Sequence, residues 1–334
     1  MNNYFILFAN CVAVKGSKRS SICDLQNNRI KIVPNLLLDV ISLFKTMPVS
    51  EIKYHYNNEL DEGIDNYLET LEKENFGFWT TEPESFPDLS LQWDSPSIIT
   101  NAIVDIDEAS NYDLENVFSQ LNDLGCISLQ IRIYWKVNSS NLNELLSFTW
   151  TSRIKSIELI LLDDGWDIEK IEVLCSLHKR IRSVIVYASS INEVRYLEKI
   201  DVQVTFVIEM AHPETHCGAV SPDFFSINIG HFTESQKFNS CLNRKISVDR
   251  FGNIKNCPSS KESFGKIGEC TFSEVLQNTS FSKYWSISKD QILICKDCEF
   301  RYACTDCRVY LTDSNDIYSK PLKCKYNPYT GTWV

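Results

Sequence analysis

No apolar run in this 334-residue chain approaches the roughly 18 residues needed to cross a bilayer; stretches such as Tyr4 to Phe8 and Ile157 to Leu162 fall far short. A secretory signal, with its basic start and apolar core, is lacking as well. The sequence therefore predicts a cytoplasmic chain with no membrane segment and with reduced thiols. A glycine-rich phosphate loop, a Gly-x-Ser-x-Gly turn and a cysteine–histidine pair at nucleophile spacing are also absent. Basic excess is missing too: 33 Lys and Arg face 44 Asp and Glu, for a net charge of −11. Residues 1–90 carry 8 cations against 13 anions, a poor footprint for phosphate contacts, so nucleic acid is not an expected partner. Hydrophobic residues at 43% and charged residues at 23% leave nothing polar enough for a disordered linker, and the length predicts two or three domains.

What the chain has in excess is cysteine. There are thirteen, eight of them between Cys241 and Cys324. In a reducing compartment such crowding points to metal binding or thiol chemistry rather than to a disulfide framework. That stretch is also locally basic, with thirteen Lys and Arg against ten Asp and Glu, and cations of that kind would offset a negatively charged thiolate site. Cys241 and Cys257 flank a hairpin-like sequence whose turn, Arg250-Phe251-Gly252-Asn253, uses Gly252 for positive φ. Cys295-Lys-Asp-Cys298 is a two-residue knuckle able to direct both thiolates at one metal, and Cys304, Cys307 and Cys324 follow it.

Along the chain, strand-like segments at Tyr4–Val14, Ser20–Leu25 and Arg29–Val33 precede helices at about Leu36–Lys45 and Asp61–Glu74. A winged-helix-like unit over residues 1–90 fits this order. Three prolines among polar residues and Trp93 between Pro83 and Ser97 mark a boundary. Beyond it β-branched strands at 98–106, 127–135, 156–162, 183–188 and 202–209 alternate with helical patterns at 112–124, 141–151, 168–179 and 191–199. Such alternation predicts an α/β architecture with a parallel sheet, an incomplete (β/α) barrel over 97–212, and a separate cysteine-rich domain over 213–334. Asp105, Asp107, Asp163, Asp164 and Glu209, with His212, His216 and Cys217, fall at strand ends, where solvated carboxylates and acid–base or cation sites are both expected.

The cysteine pattern C-x(10)-G-x(4)-C, then C-x(2)-C-x(5)-C-x(2)-C, then a final C, resembles the SPASM domain that follows many radical SAM peptide maturases, with two rather than three residues before the sixth cysteine. The runs Cys241-Leu-Asn-Arg-Lys-Ile-Ser, Gly252-Asn-Ile-Lys-Asn-Cys257-Pro, Cys298-Glu-Phe-Arg-Tyr-Ala-Cys304-Thr-Asp-Cys307-Arg and Cys324-Lys-Tyr-Asn-Pro-Tyr-Thr-Gly resemble the SPASM-domain maturase of grasp-with-spasm peptide systems. The resemblance implies two auxiliary [4Fe-4S] clusters. One would use Cys295, Cys298, Cys304 and Cys324. The other would use Cys241, Cys257 and Cys307, with Cys217 as the candidate fourth ligand and Cys270, His216, His231 or an open iron position as alternatives.

A CxxxCxxC motif occurs nowhere in the chain. The barrel region thus resembles a radical SAM domain without its radical-generating cluster, and no SAM is expected. The same resemblance implies a ribosomally made precursor peptide and an ATP-grasp ligase as partners. The N-terminal unit would bind the precursor's leader as an added strand along Arg29–Val33, with the helix around Ile64–Leu71 as the groove wall. Whether such a protein is itself an enzyme is open. Two other readings stand beside it: a redox or Lewis-acid enzyme using an open iron, and a zinc-stabilised binding module with Cys295, Cys298, Cys304 and Cys307 around one tetrahedral ion.

Overall fold

The computed structural model describes residues 3–211 and 217–333. They form two compact units, one of Met1–Asp94, Ala219–Cys241 and Ser286–Val334, the other of Ser95–Gly218 and Leu242–Trp285. The stretch 213–334 is thereby shared between the two. Among the described residues no helix is long and apolar enough to cross a membrane.

In the first unit the expected strand Tyr4–Val14 is broken into β1 (Tyr4–Leu7) and β2 (Cys11–Val14) by a turn in which the Cys11 amide donates to Phe8 O at 2.8 Å. β2 then joins β3 (Ser20–Asp24) and β4 (Arg29–Val33) in an antiparallel sheet of that order, while β1 pairs with β5 (Gly77–Thr80). Between β4 and β5 run α1 (Asn35–Ile41), α2 (Val49–His55) and α3 (Asp61–Lys73). α3 buries Ile64, Leu68 and Leu71, the helical spacing visible in the sequence. α2 buries only Val49 and Ile52, too few positions to give a periodic signal.

All five residues of β3 are buried, although three of them are Ser20, Ser21 and Asp24. Ile22 packs with Phe5, Leu37, Phe44 and Leu68 on one face of the sheet. On the other face Cys23 joins Val14, Leu25, Phe232 and Ala303, so the second layer comes from residues more than 200 positions away in sequence. Burial on both faces obliges every polar group to find a partner. Ser20 Oγ donates to Asn35 Oδ1 at 2.6 Å, Ser21 Oγ donates to Glu299 O at 2.7 Å, and the Asp24 carboxylate takes Arg29 at 2.6 Å and Asn10 Nδ2 at 2.8 Å.

The second unit is mixed α/β. Its strands are β6 (Asn101–Ile106), β7 (Ser128–Ile133), β8 (Ser156–Leu162), β9 (Ile181–Tyr187), β10 (Glu193–Leu197), β11 (Val202–Val207), β12 (Lys245–Val248) and β13 (Ile254–Lys255). They build one sheet in the order β10-β11-β9-β8-β7-β6-β12-β13. The central run from β11 to β12 is parallel, and β10 and β13 are antiparallel edges. Three crossover helices, α4 (Leu114–Asp123), α5 (Ser139–Ser147) and α6 (Ile168–Leu177), each begin where an Asx side chain accepts a backbone N–H three residues on: Asp113, Asn138 and Asp167.

The helix expected at 191–199 is instead the edge strand β10. Ile191, Val194 and Leu197 do sit at helical spacing, but only Leu197 reaches the core, and full pairing with β11 from Glu193 to Leu197 wins. β12 lies parallel to β6, so a strand from beyond residue 240 extends the sheet of 97–212. Gly252 sits at φ +82° in the β12–β13 turn, as its position in the hairpin sequence requires.

Gly16 and Gly63 test this packing with opposite signs. A Cβ on Gly16 would lie 2.4 Å from Arg19 O and 2.8 Å from Glu299 N, both backbone atoms, whereas one on Gly63 in α3 meets nothing within 4 Å. Gly16→Ala should lower unfolding stability by about 1–3 kcal/mol, and Gly63→Ala should raise it by about 0.5–1 kcal/mol. Denaturant titration of both variants checks the pair.

Candidate thiolate metal centre

Four of the expected ligands lie in the first unit, three of them within one apolar cluster. Cys304 is buried with Phe300 and Tyr326, and Cys298 and Cys324 pack against them. Cys295 opens a short 3-10 turn, Cys295–Asp297, and the Cys298 amide donates to its carbonyl at 3.0 Å. The Phe300 amide points at Cys298 Sγ at 3.4 Å, and the Cys304 amide donates to Phe300 O at 2.9 Å. The knuckle and the loop after it are thus wound by their own backbone, which turns amides toward sulfur.

Electrostatics place the four in one locality. Cys295 feels the charges of Cys304 and Cys324, Cys298 feels Cys304, and Cys304 feels Cys324. Burial pushes the Cys295 thiol up to about 12, against the pull of Lys289, and raises Cys298 and Cys304 as well. Thiols as buried as those of Cys295, Cys298 and Cys304 stay protonated unless a cation or a metal takes the place of the protons.

One cation is already there. Lys289 is 4% exposed, with Nζ 2.8 Å from Cys304 Sγ and 3.2 Å from Thr305 O. Burial acts to lower the pKa of its ammonium, but Cys304, Cys295 and Asp306 outweigh that and hold it above the ordinary lysine value.

A buried polar network ties further cysteine segments to this one. Arg308 and Asp306 form a 2.7 Å ion pair, both almost wholly buried, and Arg308 also donates to the carbonyls of Ile317 and Ser319. Asn239 Nδ2 donates to Asp306 Oδ2 at 2.6 Å while its Oδ1 accepts the Cys241 amide at 3.0 Å. Ser240 Oγ accepts the Asp306 amide and donates to Cys304 O. Cys241 is therefore held through Asn239 and Ser240 to the Cys304–Cys307 loop. The Tyr310 amide donates to Cys307 Sγ at 3.5 Å.

Cys217 and Cys257 belong to the second unit, so the other expected set, with Cys241 and Cys307, draws on both units. Cys257 is buried, and Cys217 Sγ lies 3.3 Å from Ser259 Oγ. Of the alternative ligands, His231 is in the first unit, its pKa lowered to about 4 by burial and by Lys289. Cys270 is in the second unit, with Sγ turned to Lys266 O. His212 and His216 lie outside the described residues.

Among the described residues no group of three or more His, Cys, Asp or Glu side chains is arranged to hold a metal ion, and no disulfide forms. The donor chemistry nevertheless fits a thiolate-bound group at Cys295, Cys298, Cys304 and Cys324: four thiols linked through Cys304 and Cys324, the Phe300 amide directed at Cys298 and a buried ammonium at Cys304. Lys289, Asn239, Asp306 and Glu299 carried no sequence signal, because burial of a charged residue is invisible without the tertiary neighbours. Cysteine spacing alone was legible.

Most strand-end carboxylates have structural partners. Asp107 pairs with Arg250 at 3.2 Å, Asp164 with Lys136 at 2.8 Å, and Asp163 accepts the Gly165 and Trp166 amides. Asp105 differs. It is 1% exposed, its Oδ1 stands 3.8 Å from Nη1 of the equally buried Arg132, and neither atom has a hydrogen bond.

No family model and no curated protein matches the chain. Among solved structures, Streptococcus suis SuiB bound to S-adenosylmethionine aligns at 11% identity and a TM-score of 0.37, covering 95% of this chain and 98% of that one. SuiB bound to its precursor peptide SuiA aligns at 12% identity and 0.34, covering 91% and 96%. Likeness at that level does not establish a shared fold.

Asp105 gives a pH signature. Burial pushes its carboxyl up to about 7, Arg132 opposes the rise, and Asp249 and Cys217 add to it. A carboxyl raised in the folded state contributes stability that is present below the unfolded value near 4 and lost as pH rises through about 7. Asp105→Asn removes the titration, so wild type should lose roughly 3 kcal/mol relative to this variant between pH 5 and 8. Denaturant melts at the two pH values measure it, and parallel curves would show that Asp105 does not titrate there.

Proposed function

We propose that this chain is a maturation factor for a ribosomally synthesised, post-translationally modified peptide, binding the precursor, an ATP-grasp ligase, or both. In this reading it carries auxiliary [4Fe-4S] clusters and no SAM-cleaving cluster. The observation that carries the proposal is the gathering of Cys295, Cys298, Cys304 and Cys324 beside Lys289, in the same compact unit as the N-terminal strands. The cysteine spacing that resembles a SPASM domain, and the lack of CxxxCxxC, supply the rest.

Cys295, Cys298, Cys304 and Cys324 would hold one cluster, and Cys241, Cys257, Cys307 and Cys217 the other. When bound, such groups supply a rigid covalent node and one-electron redox capacity. The chain's own residues do the remaining work. The buried thiols would hold such a group as thiolates, with the amide of Phe300 and the ammonium of Lys289 placed to offset the sulfur charge.

For the precursor, the sheet β2-β3-β4 offers two open edges. The β4 edge lies near the end of α3, where Lys31 pairs with Glu74 at 2.6 Å. The β2 edge borders a groove of about 470 Å³ lined by Leu7, Phe8, Ile41, Phe44, Leu89 and Leu91. An extended peptide added to either edge would gain main-chain hydrogen bonds, with alternate side chains entering the neighbouring depression. The pairing register turns the N–H of Ala13 outward from β2 and that of Ile32 outward from β4.

Anaerobic purification followed by iron, sulfide and zinc analysis tests the metal assignment. Iron and sulfide in equal amounts are expected, and stoichiometric zinc without iron would overturn it.

Precursor modification by the ligase should change in yield or site choice when the chain is added, and revert with Cys298→Ala. No difference among the three conditions, and no precursor binding, would remove the maturation reading. If binding is seen, Ala13→Pro or Ile32→Pro should each remove one outward donor, and only the variant on the occupied edge should weaken the complex, by about tenfold.

A further inference from the structure

Lys289 is the most completely buried cation of the first unit apart from Arg308, and its stem is fixed before its charge is considered. Ser288 and Gln291 form a reciprocal cap around it, with the Ser288 amide donating to Gln291 Oε1 at 2.9 Å, and the Ile292 amide donates to Lys289 O at 3.2 Å. Ile292, fully buried, then accepts the Lys296 amide one turn before the Cys298 loop. The ammonium is thus aimed inward by the backbone that leads into the knuckle.

Taking an ammonium out of water is expensive unless an anion meets it. The carboxylate it senses, Asp306, is already committed to Arg308 at 2.7 Å and Asn239 at 2.6 Å. Two buried cations, Lys289 and Arg308, therefore share one carboxylate. Besides Thr305 O, which accepts from Nζ at 3.2 Å, the groups that face Lys289 are the sulfurs of Cys304, at 2.8 Å, and Cys295. A neutral thiol is a weak acceptor for a full positive charge, and a metal-bound thiolate is a strong one. The geometry has one surplus positive charge and two sulfurs waiting to carry the negative one.

We infer that Lys289 is a positioning residue for the bound cluster, its ammonium donating to the metal-bound sulfur of Cys304 and stabilising the reduced form of the group. The inference rests on the cluster assignment proposed above. Adding an electron to a centre already surrounded by four thiolates raises its negative charge, so a fixed cation beside one sulfur favours the one-electron-reduced state and raises the reduction potential. Lys289 itself neither gains nor loses an electron or a proton in this step.

The test uses the full chain, reconstituted anaerobically with ferrous iron and sulfide, as wild type, Lys289→Met and Lys289→Arg. Iron and sulfide content and an EPR-monitored redox titration with dithionite are read for each. Lys289→Met keeps the apolar stem but not the charge. At a fixed potential its ratio of reduced to oxidised cluster should fall about tenfold, the worth of a hydrogen bond to a charged group, and Lys289→Arg should recover most of it.

An unchanged midpoint in an iron-loaded Lys289→Met variant would overturn the inference while leaving the cluster assignment standing. If Lys289→Met instead loses iron while Lys289→Arg retains it, the charge requirement is supported. Equal loss in both variants, with apo-protein melting lowered equally, would reduce Lys289 to packing. Wild-type protein that takes up no iron and sulfide would overturn both the cluster assignment and this inference.

Discussion

The first unit depends on one buried carboxylate. Glu299, wholly inaccessible and next to Cys298, receives the Arg19 guanidinium at 2.7 Å and the Tyr326 hydroxyl, while its own carbonyl receives Ser21 from the centre of β3. An unpaired carboxylate at that depth would be untenable. Three remote segments, 16–21, 298–304 and 324–326, must therefore meet around it. The cysteine knuckle takes its position from the N-terminal sheet, and the sheet takes the cover of its second face from the segments around Phe232 and Ala303. The N-terminal strands and the cysteine loops of the first unit are one folded object.

That arrangement explains which parts were legible beforehand. Strands β6, β7, β8, β9 and β11 announced themselves because burial under helices forces continuous β-branched sequence, and α4 to α6 because helical patterns alternate with those strands. β10 was misread because an edge strand needs no apolar face, so Ile191, Val194 and Leu197 imitated a helix. The break between β1 and β2 was hidden inside a run that looked uniformly strand-like. Cysteine spacing gave the knuckle directly, since that pattern is local. The charges that surround it are not local: Lys289 and Asp306 look like ordinary surface residues in sequence, and nothing in their neighbours states that Arg308 and Asn239 will share Asp306.

The two units treat buried charge differently. Around Asp306 the Asn239 amide, Arg308 Nη2 and the Asp306 N–H each meet an acceptor at hydrogen-bond distance, with Arg308 Nε alone unsatisfied, and the network fixes backbone. At Asp105 and Arg132 the opposing atoms stand apart without hydrogen bonds, so the pair is stabilised through charge alone and answers to pH. Rigidity suits loops that must present sulfurs in one geometry. The looser pair sits on β6 and β7, in the middle of a sheet that is held by its ladders whatever the charge on one carboxyl.

The division of the chain also bears on the order in which it becomes structured during synthesis. Residues 1–94 emerge from the ribosome before 219–334, yet the outer face of β2-β3-β4 has only Leu89 and Leu91 against it until Phe232 and then Ala303 have been made. The second unit has five of its six parallel strands by residue 207 and only awaits β12. The N-terminal sheet is thus translated well ahead of the segments that complete it. Until Ala303 is made, any sheet formed there leaves part of its apolar face uncovered, the kind of surface that chaperones bind and that favours aggregation.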